Sequence, residues 1–227
     1  ATSAGGPHAG PSSPASPVLA GSGAAGIRGL RAMGGAGVVS PAVAAALPAA
    51  GRVVSIACGQ YHTLIVLEDG RMFACGQNEY GQLGLDDSLP RQLPTLSKTS
   101  DVSQVCCGYF HTVALRRGGQ VVACGRNDYG QLGLGNTSKK VFGPREVRSL
   151  TSKGIQRVAA GCYHTIAVAA SGLLYVFGRN NHGQLGLGGI TEQHSPVALC
   201  TFAGKHISAV AAGFYHTVVL SGGSQGR

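Results

Sequence analysis

Short apolar runs separated by glycine-rich segments begin after residue 51 and continue almost to the end of the chain. The first three runs cover residues 53–58, 62–67 and 71–75, and after a loop a fourth covers residues 92–96. Runs of this length, rich in β-branched residues, are typical of β-strands, and Pro94 favours an edge position for the fourth. No helical pattern lasts longer than two turns. The sequence therefore predicts an all-β fold with four strands in every ~50 residues.

Two sequence blocks recur among these strands. The first reads Gly59-Gln60-Tyr61-His62-Thr63 and occurs four times, and its histidines lie 49, 53 and 52 residues apart. They are His62, His111, His164 and His216. The second block, residues 76–84, reads Gly-Gln-Asn-Glu-Tyr-Gly-Gln-Leu-Gly and returns at residues 125–133 and 178–186. Self-similarity at a period near 50 indicates a repeat protein.

Four-stranded units at this period are typical of the blades of a β-propeller. We predict complete blades at residues 52–101, 102–154 and 155–206, and a partial blade at residues 207–220, with about fourteen strands in all. Residues 221–227 form a tail. Residues 1–51 consist mostly of Ala, Gly, Pro and Ser, which cannot bury enough apolar surface to fold, so we expect disorder there.

The repeated residues are more simply explained by structure than by catalysis. Asn78, Asn127 and Asn180 can cap the turns of the second block, and the leucine before each final glycine can plug its loop into the core. Glycines that turn the chain between short strands are Gly81, Gly84, Gly130, Gly133, Gly183 and Gly186.

One histidine per blade favours a structural role, in which the ring and the following threonine bond backbone carbonyls between blades. A metal-binding ring of histidines would require side chains of separate blades to converge. No catalytic constellation stands out, and we expect no cofactor, no metal and no enzymatic activity.

Positive charge is concentrated in the last part of the chain. The net charge is +9, and residues 136–227 carry nine basic and two acidic side chains. One run, opposed by Glu146 alone, comprises Lys139, Lys140, Arg145, Arg148, Lys153 and Arg157. Such a run favours an anionic partner, for example DNA, an acidic protein surface or a phosphoinositide. The alternative is a solvated loop that only keeps the protein soluble.

The seven cysteines show no zinc-binding spacing. Cys75 and Cys124 share a repeat position with Phe177, so we expect the cysteines to act as buried apolar groups in a reducing compartment. We therefore predict an intracellular protein, cytoplasmic or nuclear. The acid-free N-terminal segment is also compatible with an organellar transit peptide. We expect the true N-terminus upstream because the chain lacks an initial methionine. No apolar run predicts a membrane span.

The two blocks resemble the repeats of the regulator of chromosome condensation family. The resemblance rests on Ala-x-Gly-x-x-His-Thr-x-x-Leu, as at Ala160 to Thr165, and on Gly-x-Asn-x-x-Gly-Gln-Leu-Gly. It covers residues 52–220, three full repeats and half of a fourth. Cysteine or phenylalanine stands where the family usually has tryptophan before the second block. The resemblance implies a seven-bladed propeller, of which this chain supplies about three and a half blades.

The resemblance also implies two kinds of function. The founding member is a nucleotide exchange factor for the small GTPase Ran and binds chromatin, and other members are adaptor domains in ubiquitin ligases, kinases and ciliary proteins. The exchange factor uses an inserted hairpin, whereas the connections here at residues 85–94, 134–144 and 187–196 are short. We therefore predict a non-catalytic protein-interaction module, with an exchange factor or the propeller of a ubiquitin ligase as alternatives.

An incomplete ring would leave strand edges and apolar faces open. Propellers avoid exposed edges by closing on themselves. We therefore expect the chain to self-associate or to need a completing chain.

Overall fold

The computed structural model describes residues 51–222, which form fourteen strands and two short 3-10 turns. Blade one contains β1 (Val53–Cys58), β2 (His62–Leu67), β3 (Met72–Gly76) and β4 (Arg91–Leu96). Blade two contains β5 (Val102–Cys107), β6 (His111–Arg116), β7 (Val121–Arg126) and β8 (Lys140–Glu146). Blade three contains β9 (Ile155–Ala160), β10 (His164–Ala169), β11 (Leu174–Gly178) and β12 (Gln193–Leu199). A half-blade contains β13 (His206–Ala212) and β14 (Thr217–Gly222), and the turns are Arg148–Leu150 and Cys200–Phe202.

Each blade is an antiparallel sheet whose strands follow one another in chain order. The turn between β2 and β3 shows how the sequence closes a hairpin. Gly70 has a φ of 88°, and its N–H donates to the Leu67 carbonyl at 2.9 Å. The first strand pair of every blade carries one irregularity near its start, as between Val53 and Ser55. An extra residue at such a point increases local twist, which suits the strongly twisted sheets of a propeller.

The hydrophobic core lies in the seams between neighbouring blades. Leu64, Val66 and Met72 of blade one pack with Val102 and Val105 of blade two in one buried cluster. Equivalent clusters join blade two to blade three and blade three to the half-blade. The first strands of consecutive blades also contact one another, which places them nearest the propeller axis. Each blade is therefore stabilised chiefly by its neighbours rather than by a core of its own.

The loop of the second block is closed by its asparagine and anchored by its leucine, as predicted. In blade two, the side-chain oxygen of Asn127 accepts from the Leu132 N–H at 3.0 Å, and its amide donates to the Asn136 carbonyl at 2.9 Å. Leu132 is fully buried. Blades one and three repeat this arrangement around Asn78 and Asn180.

All six glycines of the second block that were assigned to turns have positive φ angles, between 67° and 86°. At Gly81 a side chain would also collide with the backbone of Phe142 in the outer strand of blade two. Gly130 makes the same close approach to His194 of blade three. The loop of one blade therefore packs directly on the backbone of the next blade.

The all-β propeller class is confirmed, with the strand count that the sequence predicts. Several strands begin or end one or two residues from their predicted limits, as β3 does at Met72–Gly76. The predicted disordered segment 1–51 and tail 221–227 lie outside the described residues, apart from residues 51, 221 and 222.

The expectation that the cysteines are buried is wrong for four of the seven. Cys58 and Cys200 are exposed, and Cys75 and Cys107 are only partly buried. Cys58 lies on β1, the first strand of the first described blade, where no preceding blade covers it within residues 51–222. The same absence exposes Ile56, which is 57% accessible, whereas the equivalent Val105 is 4% accessible.

The two end blades expose apolar side chains that the inner blades bury. On the half-blade, Val218 and Leu220 are 58% and 60% accessible. The equivalent residues of blade two, Val113 and Leu115, are 0% and 4% accessible. The described region therefore ends in two apolar surfaces of the kind that blades bury elsewhere in the fold.

Candidate protein-binding face

Three buried histidines, which we call the relay histidines, each link one blade to the next. They are His62, His111 and His164. In the seam between blades two and three, Nε2 of His111 lies 3.2 Å from the Thr165 hydroxyl, and that hydroxyl donates to the Gln131 carbonyl at 2.8 Å. The other two seams repeat this geometry, with nitrogen-to-oxygen distances of 3.1 and 3.0 Å.

The chemistry of the threonine determines the tautomer of the ring. Because the single proton of the Thr165 hydroxyl goes to the Gln131 carbonyl, His111 must donate through Nε2–H. Its Nδ1 faces Gly108 and has no hydrogen-bond partner within residues 51–222. Burial favours the neutral ring and lowers the pKa of His111 to about 3, and those of His62 and His164 to about 4.

The sequence predicted that the histidine ring would bond a backbone carbonyl directly, and the structure shows an indirect link instead. The threonine of the next blade stands between the two groups, so only its hydroxyl reaches the carbonyl directly. The relay histidines occupy separate seams, and no group of three metal-binding side chains exists among the described residues. The fourth histidine, His216, is exposed and lies on the half-blade.

Aromatic side chains form one continuous surface at the end of the blades that carries both sequence blocks. This aromatic face comprises Tyr61, Tyr80, Tyr109, Phe110, Tyr129, Tyr163, Phe214 and Tyr215. Neighbouring ring centroids lie 4.4 to 6.1 Å apart. Tyr109 of blade two reaches Phe214 of the half-blade at 5.1 Å, so the surface crosses from blade to blade. Most of its rings are partly buried, and Tyr61 is 52% accessible.

Two arginines at the same repeat position sit among these rings. The guanidinium carbon of Arg126 lies 5.2 Å from the Tyr80 centroid and 5.7 Å from that of Tyr163. Arg179 lies 4.8 Å from Tyr129, and it shares the Tyr163 ring with Arg126 at 5.8 Å. Cations held over aromatic rings at such distances are attracted to the ring faces. The face is therefore both apolar and cationic.

Asp128 balances one of these two cations. Burial alone would lower the pKa of Arg126, but the hydrogen bond and the attraction of Asp128 raise it. The Arg126 Nε lies 2.7 Å from an Asp128 carboxylate oxygen. Burial also raises the pKa of Tyr109 and Tyr163, so these phenols stay neutral at physiological pH.

The aromatic face was not predicted from the sequence, although two signals were present. An aromatic residue precedes each of the four repeated histidines, and arginine follows the first glycine of the second block in two of three repeats. Tyrosine and arginine are enriched at the energetic centres of protein interfaces, because they offer large contact areas with polar ends. This composition suits a protein ligand.

The predicted basic run is divided by the structure. Lys140, Arg145 and Arg148, which we call the groove cations, line an open groove along the outer strand of blade two. Lys98 and Arg116, which lie outside the run, line the same groove together with the acids Asp86 and Glu146. Lys139, Lys153 and Arg157 do not line it, and Arg157 lies on the inner strand β9. The Lys98 ammonium pairs with Asp86 at 2.5 Å, and Lys140 pairs with Glu79 outside the groove at 3.8 Å. Three cations therefore face one remaining acid.

Within residues 51–222, no helix has both the length and the apolar character needed to cross a membrane. All seven cysteines are free thiols.

Comparisons with known proteins agree with the architecture. A family model for the RCC1-like domain matches residues 20–219. The human probable E3 ubiquitin-protein ligase HERC4 is 47% identical over 173 residues, which are 75% of this chain and 16% of the ligase. The ultraviolet-B receptor UVR8 of Arabidopsis thaliana is 33% identical over 75% of this chain and 39% of the receptor. The chain thus spans well under half the length of these relatives.

Solved structures show the same fold. The structure of Kap60 bound to yeast RCC1 (Prp20) matches with a TM-score of 0.67 and 26% identity, over 75% of this chain and 42% of the matched chain. Human WBSCR16 matches with a TM-score of 0.66 and 28% identity, over 76% of this chain and 45% of that protein. With three four-stranded blades, a half-blade and a matching family model over most of its length, the chain belongs to the RCC1-like domain family.

Proposed function

We propose that this chain is a non-catalytic protein-interaction module that binds a protein partner through its aromatic face. The observation that carries the proposal is the gathering of eight aromatic rings and two arginines from all four repeats onto one end of the blades. Six of these rings are partly buried and two are exposed, and the blades that carry them are joined by buried seams. A rigid scaffold with variable loops at one end is the usual way in which repeat proteins bind their partners.

The experiment compares two variants of the chain in affinity purification from cells followed by quantitative mass spectrometry. Tyr61→Ala with Phe214→Ala removes two partly exposed rings of the aromatic face. The matched control, Arg145→Ala with Arg148→Ala, removes two exposed side chains of the groove. We expect a defined set of partners that the face variant loses at least about 10-fold and the control retains, since truncated anchor residues cost 2 kcal/mol or more. Partners that both variants retain would refute the assignment of the face.

The similarity to HERC4 favours one specific setting for this module, the propeller region of a ubiquitin ligase. In that setting the module would select substrates or regulators and leave catalysis to another domain. Seven free cysteines support an intracellular location, cytoplasmic or nuclear. The test is whether partners of the aromatic face are ubiquitinated less when the face variant replaces the wild type in the full-length protein.

A second candidate is guanine-nucleotide exchange on a Ran-like small GTPase, which the structural similarity to yeast RCC1 favours. Fluorescent nucleotide release from Ran tests it directly. Exchange that saturates with the concentration of this chain would establish the activity, and release at the spontaneous rate would exclude it for Ran.

The groove supplies a further candidate, the binding of chromatin or another polyanion, because its cations outnumber its acids.

A further inference from the structure

A comparison of the internal repeats shows that one arginine of the aromatic face lacks the carboxylate partner that the other one has. Arg126 and Arg179 occupy the same position of the second block, and both lie near the Tyr163 ring, at 5.7 and 5.8 Å. Arg126 is paired with Asp128 two residues later, at 2.5 Å. At the position equivalent to Asp128, blade three has the neutral and exposed Asn181. Blade two therefore supplies a carboxylate that blade three lacks.

The side-chain carboxylates of the chain have partners other than Arg179. All nine acidic residues of the sequence lie within residues 51–222. Seven of them pair with lysine or arginine, Glu192 lies 3.9 Å from His194, and the ninth, Glu146, accepts a hydrogen bond from Thr151. Arg179 forms no ion pair among the described residues, and its buried Nε–H has no acceptor there. Arg179 as a whole is only partly buried and carries a positive charge without a counter-charge there, so an external carboxylate would be favoured.

We propose that Arg179 receives an aspartate or glutamate side chain of the protein partner, in the way that Arg126 receives Asp128. This inference deepens the proposed function and rests on it. The carboxylate would accept hydrogen bonds from the guanidinium, whose carbon lies 4.8 Å from the Tyr129 ring centroid and 5.6 Å from that of Tyr215. The exposed His182 ring lies 4.5 Å from the Tyr215 ring, centroid to centroid, at a tilted angle.

The rings around Arg179 also indicate which residues should flank the acidic residue in the partner. Rings of the aromatic face flank Arg179, so apolar or aromatic partner side chains adjacent to the carboxylate would bury the largest area. Two arginines with one carboxylate leave this part of the face with a net positive charge. The partner segment is therefore an acidic residue set among apolar residues, rather than a long acidic tract, which would suit the groove instead.

The experiment selects ligands from a random library of 12-residue peptides displayed on phage, with the 227-residue chain as the target. Selected peptides are titrated by fluorescence polarisation, each beside a copy in which its acid is changed to the corresponding amide. The key protein variant is Asn181→Asp, which restores the internal carboxylate of blade two. Gln156→Glu adds the same charge on β9 and serves as the control, and Phe214→Ala reports whether a peptide uses the aromatic face.

We expect the selected peptides to carry an acid beside an apolar residue. The acid-to-amide change should weaken binding to the wild type about 10-fold, the size expected for a charge-assisted hydrogen bond. Against Asn181→Asp, the acidic peptides should bind about 10-fold more weakly than to the wild type, and the amide change should have little further effect. Gln156→Glu should match the wild type.

Two results would overturn the inference in different ways. Peptides that depend on Phe214 but bind equally well as amides would refute the role of Arg179 and leave the aromatic face as a binding surface. A library that yields no peptide dependent on Phe214 would refute both the face and the inference. Asn181 is exposed, so its variant should fold as the wild type does, and a thermal melt verifies this.

Discussion

Replacing a relay histidine should destabilise the propeller far more than replacing the same residue of the motif on the half-blade. In His111→Ala, the change removes a fully buried ring from the seam between blades two and three. In the matched control, His216→Ala, the same motif loses an exposed ring. The two substitutions are chemically identical, so the difference between them isolates the contribution of the seam.

The magnitude follows from what His111 contacts. The ring donates to the Thr165 hydroxyl at 3.2 Å, and the loss of one such bond costs about 1 kcal/mol. Removing a buried side chain of this size leaves a cavity, which adds about 1–3 kcal/mol when the surroundings relax only in part. We therefore expect His111→Ala to lower the free energy of unfolding by about 2–4 kcal/mol. His216→Ala should change it by about 0.5 kcal/mol or less.

Urea unfolding followed by far-ultraviolet circular dichroism measures both values on chains purified in parallel. Thr165→Val tests the same seam from the other side, because it keeps the shape of the side chain and removes the hydroxyl that joins the ring to the carbonyl. His111→Ala and Thr165→Val combined should cost less than the sum of the two, since they share a bond. Equal effects of His111→Ala and His216→Ala would refute the view that the seam stabilises the fold.

Three further outcomes follow from the structure. The relay histidines have pKa values far below 6.5 in the folded chain. Their neutral rings therefore contribute fully to the stability of the fold above pH 6.5, and this contribution is lost as the pH falls toward 4. Each of these histidines should lower the free energy of unfolding by about 2 kcal/mol between pH 7 and pH 5, which unfolding curves at several pH values would measure. Changing the groove cations to glutamate should weaken binding to duplex DNA and flatten its salt dependence, and unchanged binding in a salt titration would make the groove merely a solvated surface. The apolar end surfaces should make the chain associate as its concentration rises, and Ile56→Lys with Leu220→Lys should reduce the association in analytical ultracentrifugation; a monodisperse wild type at high concentration would contradict this.

The fold was predictable because its signals are local and repeated. Strand-length apolar runs and turn glycines recur with the same order in each repeat, and β1 and β2 begin and end where the apolar pattern places them. The burial of individual residues was less predictable. Cys58 and Cys107 are equivalent in the sequence, but the burial of either depends on whether another blade packs against its strand, and this information lies outside the repeat itself.

The candidate site was harder to predict because it depends on how the blades are arranged in space. Tyr109 and Phe214 are about a hundred residues apart in the sequence, and only the curvature of the propeller brings their rings to 5.1 Å. The basic run is divided for the converse reason. Residues that are close in sequence, such as Lys139 and Arg157, lie at different positions across two blades. Charge density along a chain of short strands is therefore a poor guide to charge density on a surface.

The link from histidine to threonine gives each blade a direction. Every described seam takes the histidine from the earlier blade and the threonine from the later one, at sequence separations of 50, 54 and 53 residues. A newly synthesised blade can therefore form its histidine–threonine link as soon as the next histidine-threonine block has left the ribosome, without waiting for distant parts of the chain. For the same reason, a duplicated blade would carry both the threonine that the preceding blade needs and the histidine that the following blade needs. Such a propeller can therefore gain blades during evolution without a new kind of interface.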